Sequence, residues 1–164
     1  MLSSVLSQSD CASCRFCCSF RRKSLWETPL FDAEAKRLLE SRFPSARFRP
    51  TGAESFTIDL SGAYKTDDSE EEAPCPFLDA RSGCVLPREE KPFDCAIWPF
   101  RAMRRGKQTV VALTPTCPAI NARPPEELAH LVHDGGLGEK IMARAKKHPD
   151  MVKEYRAGFP IIME

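Results

Sequence analysis

The chain carries the stretch Cys11-Ala-Ser-Cys14-Arg-Phe-Cys17-Cys18, in which four of eight residues are cysteines. Two intervening residues let a chain wrap so that successive thiolates point at one centre, a spacing found in zinc knuckles and in iron–sulfur loops. Neighbouring side chains diverge, so Cys17 and Cys18 are not expected to bind one ion together. We expect Cys17 to join Cys11 and Cys14, and Cys18 to serve a second centre or to be a packed thiol.

Four further cysteines lie in the middle of the chain, and the expected ligand set is therefore Cys11, Cys14, Cys17, Cys18, Cys75, Cys84, Cys95 and Cys117. Residues 1–10 lack the basic and long apolar regions of a signal peptide, so we expect a cytoplasmic protein whose thiols bind metal rather than form disulfides. Two of the cysteines precede proline, as the fourth ligand of a ferredoxin loop does. The nearby aromatic residues are equally consistent with a jacket around a cluster and with plain core: Phe77, Phe93, Trp98 and Phe100.

Composition limits the class of protein. The 164 residues are 42% hydrophobic, enough for an ordinary core, and the formal net charge is only +1. The charge balance gives no general attraction to nucleic acid, and no stretch has the roughly 18 consecutive apolar residues that a membrane span needs. We therefore expect no membrane insertion and no nucleic-acid partner.

Periodicity predicts a small α+β domain with much irregular structure. The predicted helices cover residues 31–43, with Asp32 as N-cap and Pro44 as the stop, then 126–133, 137–147 and a short one at 151–155. Alternation predicts strands at residues 56–60 and 109–113, and residues 66–73 read as a solvated acidic loop. We expect one domain over residues 1–164, with cysteine-rich loops around a metal–thiolate core at about 11–120 and a helical tail at 121–164.

The order of these motifs resembles a known family. The head motif is followed by Cys75-Pro-Phe-Leu-Asp79, Gly83-Cys84-Val-Leu86 and Lys91-Pro92-x2-Cys95-x2-Trp98-Pro99-Phe100, which is similar to the CxxCxxCC (YkgJ-type) cysteine-cluster family of zinc- or iron-chelating domains. That family has arginine at the positions of Lys91 and Ala96. It includes flagellin lysine N-methylases, but this chain has no radical-SAM spacing and no glycine-rich nucleotide loop, so the resemblance implies a metal–thiolate core and methyl transfer only by analogy.

The identity of the metal stays open at the level of sequence. Zinc accepts any four thiolates, whereas scattered ligands and recurring Cys-Pro pairs favour one or two [4Fe-4S] clusters over Zn²⁺. We expect the protein to act in electron transfer, in redox sensing or as the cluster-bearing partner of another protein. The alternatives are a zinc-stabilised protein-binding module and a cluster-dependent enzyme.

Charged side chains outside the cysteine motifs supply the remaining candidates. A run of cations follows the last aromatic motif and suits an acidic redox partner, with a solvated hairpin arm as the alternative: Arg101, Arg104, Arg105 and Lys107. Cations near the head would offset thiolate charge: Arg15, Arg21, Arg22 and Lys23. His130 and His133 fit a solvated or capping role better than a metal site, and His148 reads as a helix end.

Overall fold

The computed structural model describes residue 2 and residues 6–22, 24 and 26–164. The chain divides into two units, and each is treated by itself. The cysteine unit comprises Gln8–Cys95, and the sheet unit comprises Met1–Ser7 with Ala96–Glu164. The prediction of one domain over the whole chain stays a prediction.

The cysteine unit is built from short elements. Its helices are α1 (Gln8–Cys14) and α2 (Ala33–Arg42), and a third helix, α3 (Phe93–Ile97), begins at its end. Its strands form three small antiparallel sheets, β1–β5, β2–β4–β3 and β6–β7. Their bounds are β1 Ser19–Arg21, β2 Phe31–Asp32, β3 Phe48–Pro50, β4 Ser55–Ile58, β5 Glu72–Pro74, β6 Leu78–Asp79 and β7 Gly83–Cys84.

One hydrophobic cluster holds these small sheets together. It consists of Phe20, Phe31, Leu39, Ala46, Ile58, Leu60, Ala73, Phe77 and Leu86. Phe77 is edge-on to Phe43 at 5.1 Å, and Phe31 is edge-on to Phe48 at the same distance. The α+β class is confirmed, but the centre of this unit is an apolar cluster, and the metal-centred core stays a prediction.

The sheet unit has one larger sheet with strand order β10–β8–β9–β11. Strands β8 (Phe100–Arg105) and β9 (Gln108–Leu113) form its central hairpin, while β10 (Lys153–Glu154) and β11 (Ile161–Met163) flank it. Its helices are α4 (Pro118–Asn121), α5 (Pro125–His133) and α6 (Leu137–Lys147). Apolar side chains of β8, β9, α5 and α6 are fully buried, among them Met103, Val110, Val132 and Ile141.

Most predicted elements are confirmed. Helix α2 begins after Asp32, whose carboxylate accepts a 2.8 Å hydrogen bond from the Ala35 backbone N–H, as an N-cap does. The predicted strands correspond to β4 and β9, and the two long helices after residue 125 correspond to α5 and α6. His148 caps the end of α6.

The predicted helix at residues 151–155 is wrong, and the tail is not wholly helical. A single 3-10 turn, Pro149–Met151, is followed by β10, which pairs in parallel with β8. The Tyr155 backbone N–H donates to the Arg104 carbonyl at 3.0 Å. An open edge of β8 offers backbone groups that need partners, and this outweighs the weak helical preference of a five-residue segment. In the part of the chain that the structure describes, no helix is long and apolar enough to cross a membrane.

Candidate metal centre

The head cysteines lie on two consecutive helical turns. Cys11 and Cys14 are three residues apart on α1, and Cys17 and Cys18 end a 3-10 turn that covers Phe16–Cys18. Between them Arg15 adopts a left-handed conformation, with φ of 54°, which reverses the chain. The Arg15 guanidinium donates to the Ala12 carbonyl at 2.9 Å and also bonds the Ala80 carbonyl. The head is thus anchored to the β6–β7 hairpin.

A backbone hydrogen bond joins the head to the middle cysteines. The Cys75 N–H donates to the Cys18 carbonyl at 2.8 Å, directly beside the paired strands β1 and β5, in which Ser19 opposes Pro74. Helix α1 packs on β7, where Gly83 has φ of +80° and a Cβ would lie 3.0 Å from the Ala12 Cα. The head and the middle of the cysteine unit thus contact each other through the backbone, and the metal core around which they are expected to fold stays a prediction.

Two of the middle cysteines sit on the hydrophobic cluster. Cys75 and Cys84 are half-buried and pack against it, and Cys84 opposes Leu78 in the β6–β7 ladder. Burial raises the pKa of both thiols. It is opposed at Cys75 by a hydrogen bond from the Phe77 backbone N–H, and at Cys84 by one from the Leu86 backbone N–H, two residues further along in each case. Backbone donors aimed at sulfur stabilise a thiolate, which is the form that binds metal.

Four thiols form one electrostatic group. We name Cys18, Cys75, Cys84 and Cys95 the four-thiol group. After desolvation, which raises the pKa most, the charges of Cys18 and Cys84 raise the pKa of Cys75. Cys18 likewise raises the pKa of Cys84, and the other three members raise that of Cys95. Every pair in the group therefore repels when ionised, and a bound cation would relieve that repulsion.

Cys95 lies near the start of α3, at the end of the cysteine unit. It is exposed to solvent, and desolvation by surrounding protein raises the pKa of its thiol well above the ordinary range. The preceding residue, Asp94, is buried and accepts a 3.1 Å hydrogen bond from the Leu30 backbone N–H, which fixes the start of α3. Asp94 thereby positions Cys95.

Lys91 supplies positive charge to the group. Its charge acts to lower the pKa of Cys84, against the larger effect of burial, which raises it. It acts in the same direction on Cys18, whose pKa is lowered chiefly by a hydrogen bond from the Cys17 thiol. The expected cations at the head have other partners: Arg21 binds Glu27 and Glu70, and Arg22 stacks on Tyr64 at 4.5 Å. Lys23 lies outside the described residues.

Sequence reasoning missed the roles of Lys91 and Asp94, and the four-thiol group itself. The signal available for Lys91 was its place in the Lys-Pro-x2-Cys motif, where the resembling family has a cation. The role of Asp94 depends on a contact with Leu30, 64 residues away. No spacing rule reveals a contact at that distance.

The thiols as placed do not form a site for one ion. Among the described residues, no group of three or more His, Cys, Asp or Glu side chains could hold a metal ion. Around a single tetrahedral Zn²⁺ with Zn–S bonds of about 2.3 Å, the sulfurs approach one another to about 3.8 Å. In a polynuclear cluster each thiolate binds a different iron, so its sulfurs stand further apart.

The remaining predicted ligands lie outside this group. Cys17 interacts with Cys18, Cys95 and Cys11, while Cys14 is exposed at the end of α1. Cys117 belongs to the sheet unit, where it is buried and its carbonyl accepts from Asn121 N at 2.8 Å at the start of α4. Their assignment as ligands stays a prediction.

The histidines have local partners. His130 Nδ1 contacts the Asp134 carboxylate at 2.6 Å, and His133 Nε2 contacts the Ile162 carbonyl at 3.0 Å. Each ring nitrogen named here lies against an oxygen of the sheet unit. Both contacts lie at exposed positions, and the preference for a solvated or capping role over a metal site stays a prediction.

The four cations of the predicted basic run differ in exposure along the β8–β9 hairpin. Arg101 is buried, with its guanidinium 4.7 Å from the Trp98 ring centroid, whereas Arg104, Arg105 and Lys107 are exposed at the β8–β9 turn. Arg104 pairs with Glu154 at 3.9 Å, and Arg105 with Glu164 at 2.6 Å. Strands β8 and β9 form the expected hairpin, but Arg101 on it is not solvated, and docking of an acidic partner stays a prediction.

Comparison with known proteins adds no relative. No family model matches the chain, and no curated protein or solved structure matches it.

Proposed function

We propose that the protein binds an iron–sulfur cluster of the [4Fe-4S] type through Cys18, Cys75, Cys84 and Cys95. The observation that carries the proposal is the grouping of these four thiols, every pair of which would repel when ionised, with Cys75 and Cys84 packed against the hydrophobic cluster. The resemblance to the CxxCxxCC family supports the same chemistry from the order of motifs. The function we infer is electron transfer, redox sensing or service as a cluster-bearing partner.

The chemistry of the donor set fits such a group. Four thiolates would each bind one iron and would leave the centre with a net negative charge. The backbone N–H groups of Phe77 and Leu86 would tune the sulfurs, and Lys91 would offset part of that charge. The buried Phe77 lies under Cys75 and Cys84 in the same apolar cluster. This supports the expected aromatic jacket for Phe77, while the other aromatic residues stay predictions.

The experiment is anaerobic purification or reconstitution, followed by iron and sulfide analysis and visible absorbance. We expect iron and sulfide in equal amounts in the wild type. Cys18→Ala, Cys75→Ala, Cys84→Ala and Cys95→Ala should each lose the same share of iron, because a four-thiolate site that loses one ligand becomes labile.

Cys14→Ala is the matched control, since it removes an exposed head cysteine outside the four-thiol group. If it keeps full iron while the four variants lose nearly all, there is one centre. If it loses about half and each of the four loses the other half, Cys14 serves a second centre. Unequal iron losses among the four variants would contradict the proposed ligand set.

The main alternative, a zinc-stabilised protein-binding module, uses the same ligands. Purified protein with stoichiometric zinc, no sulfide and the same loss pattern in the four variants would favour it.

A cluster-dependent enzyme would need an iron with an open position, which four protein ligands at one cluster do not leave. Cytoplasmic location and an acidic redox partner also stay proposals.

For that partner, the exposed cations at the β8–β9 turn are the candidate contacts: Arg104, Arg105 and Lys107. A docking role predicts that replacing all three by serine slows electron exchange with a small acidic redox protein at low ionic strength. At high salt the difference should disappear, because exposed charges are screened. Equal rates at low ionic strength would exclude these contacts.

A further inference from the structure

Helix α6 carries a row of positive charge on one side. Lys140, Arg144 and Lys147 occupy positions i, i+4 and i+7 of the helix, so they share one face, and we name these three residues the α6 row. Lys140 and Lys147 are exposed, and Arg144 is half-buried. The rise of about 1.5 Å per residue spreads the row over about 10.5 Å of helix axis.

The opposite face holds α6 firmly within the sheet unit. Its apolar side chains are buried: Leu137, Ile141 and Ala145. At Gly138 the helix approaches its neighbours so closely that a Cβ would overlap the Met163 sulfur and crowd Val132. Packing therefore fixes the helix, and the spacing of the α6 row is set before any partner binds.

Helix stability does not account for the α6 row. Like charges at i and i+4, as at Lys140 and Arg144, destabilise a helix. The one carboxylate of α6, Glu139, has Met142 and Ala143 at the positions where a cation would pair with it. The helix dipole favours cations in the last turn, but Lys140 lies near the opposite end. Lys140 therefore needs another explanation, which a negatively charged partner supplies.

Carboxylates beside α6 are engaged elsewhere. On α5, which packs against α6, Glu127 pairs with Arg123 at 3.0 Å and Asp134 contacts His130 at 2.6 Å. In the part of the chain that the structure describes, no ion pair includes either exposed lysine of the α6 row. Both lysines thus offer their charge to a partner outside the chain.

We propose that the α6 row docks an acidic helix of a partner protein, whose Asp or Glu side chains lie one turn apart on one face. Two helices side by side have the same rise, so carboxylates at this spacing meet the cations in register. Ala143 is exposed beside the row, and its small side chain leaves room for the partner helix to approach. A short row on a chain of net charge +1 suits such a helix better than the phosphate backbone of a nucleic acid. The proposal goes beyond the proposed cluster and does not depend on it.

The test is an NMR titration of the full-length protein, because a few exposed ion pairs give weak binding. The probe is a synthetic alanine-based helical peptide with three glutamates one turn apart on one face. Its control is an isomer with the same three glutamates spread around the helix. At low ionic strength the first peptide should shift the backbone amide signals of α6 and the isomer should shift them less, whereas added salt should abolish the difference.

Lys140→Glu separates docking from folding. It reverses one charge of the α6 row and should weaken binding of the first peptide about tenfold, because an attractive contact becomes repulsive. The helix should be at least as stable as before, since a carboxylate in the first turn suits the dipole and pairs with Arg144 at i+4. Lys107→Glu makes the same change of net charge at the β8–β9 turn and should bind the peptide as the wild type does.

The proposal is overturned if the first peptide leaves the α6 signals unchanged, or if both peptides shift them equally. Equal weakening by Lys107→Glu would also overturn it, because the attraction would then be a general effect of charge. A short single-stranded oligonucleotide that shifts α6 more than the peptide does at equal charge would mark the row as a nucleic-acid surface instead. None of these measurements involves iron, so they are decided separately from the proposed cluster.

Discussion

The backbone N–H of Cys75 donates a 2.8 Å hydrogen bond to the carbonyl oxygen of Cys18. These residues are 57 positions apart in sequence, and the bond continues the β1–β5 pairing up to the cysteines themselves. Their sulfurs are thereby brought into the same electrostatic group. The long-range pairing of β1 with β5 thus joins the head to the middle of the cysteine unit through backbone hydrogen bonds.

Gly83 is expected to be essential for the packing of α1 on β7. Gly83→Ala should lower the free energy of unfolding by more than the roughly 1–2 kcal/mol that a left-handed residue with a Cβ costs, because the new Cβ also meets the Ala12 Cα at 3.0 Å. Gly106→Ala is the matched control, since Gly106 has φ of +63° and nothing within 4 Å of a Cβ. Urea unfolding of both variants measures the difference. Equal losses of unfolding free energy in the two variants would show that α1 moves away from the new Cβ at no cost.

Asp94 should stabilise the segment that carries Cys95. Asp94→Ala leaves the Leu30 N–H without its acceptor, which costs about 1–3 kcal/mol of unfolding free energy, and it should speed loss of iron from reconstituted protein. Asp94→Asn keeps an acceptor oxygen and should retain most of both properties. Thermal unfolding and iron release to a chelator are the measurements. If the alanine variant released iron at the wild-type rate, a positioning role for Asp94 would be ruled out.

Glu71 should make the cysteine unit sensitive to acid. The backbone N–H groups of Lys65 and Thr66 hold its pKa at about 2, below the ordinary 4.5. Because the folded pKa is depressed, the stabilisation is complete above about pH 4.5 and is lost as the pH falls towards 2. Glu71→Gln should therefore be less stable than wild type at neutral pH, and the difference should shrink on acidification. Denaturant unfolding across pH 2–7 tests this, with Glu70→Gln on the same loop as the comparison.

Arg101 should act as a structural residue of the sheet unit. Its buried guanidinium stacks on Trp98 at 4.7 Å, and a desolvated contact of this kind contributes about 2 kcal/mol. Arg101→Ala should lower stability by at least that amount. Arg104→Ala, which removes only an exposed arginine paired at 3.9 Å, should cost less than about 1 kcal/mol. Similar stabilities of the two variants would contradict the structural role.

The sequence alone determined the elements whose signals are local. Asp32 as N-cap, the helices after residue 125 and the strands at β4 and β9 follow from capping chemistry and hydrophobic period, which act within a few residues. The same local rules failed at residues 153–154, because the edge of β8 supplied backbone partners from 50 residues away.

Only the tertiary structure decided which cysteines group together. Spacing had placed Cys17 with Cys11 and Cys14, but it gave no means of dividing Cys75, Cys84, Cys95 and Cys117. The β1–β5 pairing, the β6–β7 hairpin and the Asp94–Leu30 bond bring three of these to Cys18, and Cys117 lies in the sheet unit. A cysteine side chain does not itself specify which other cysteine it will lie beside. Their partners are set by hydrogen bonds and apolar burial of the backbone that holds them, which depend on residues far apart in the chain.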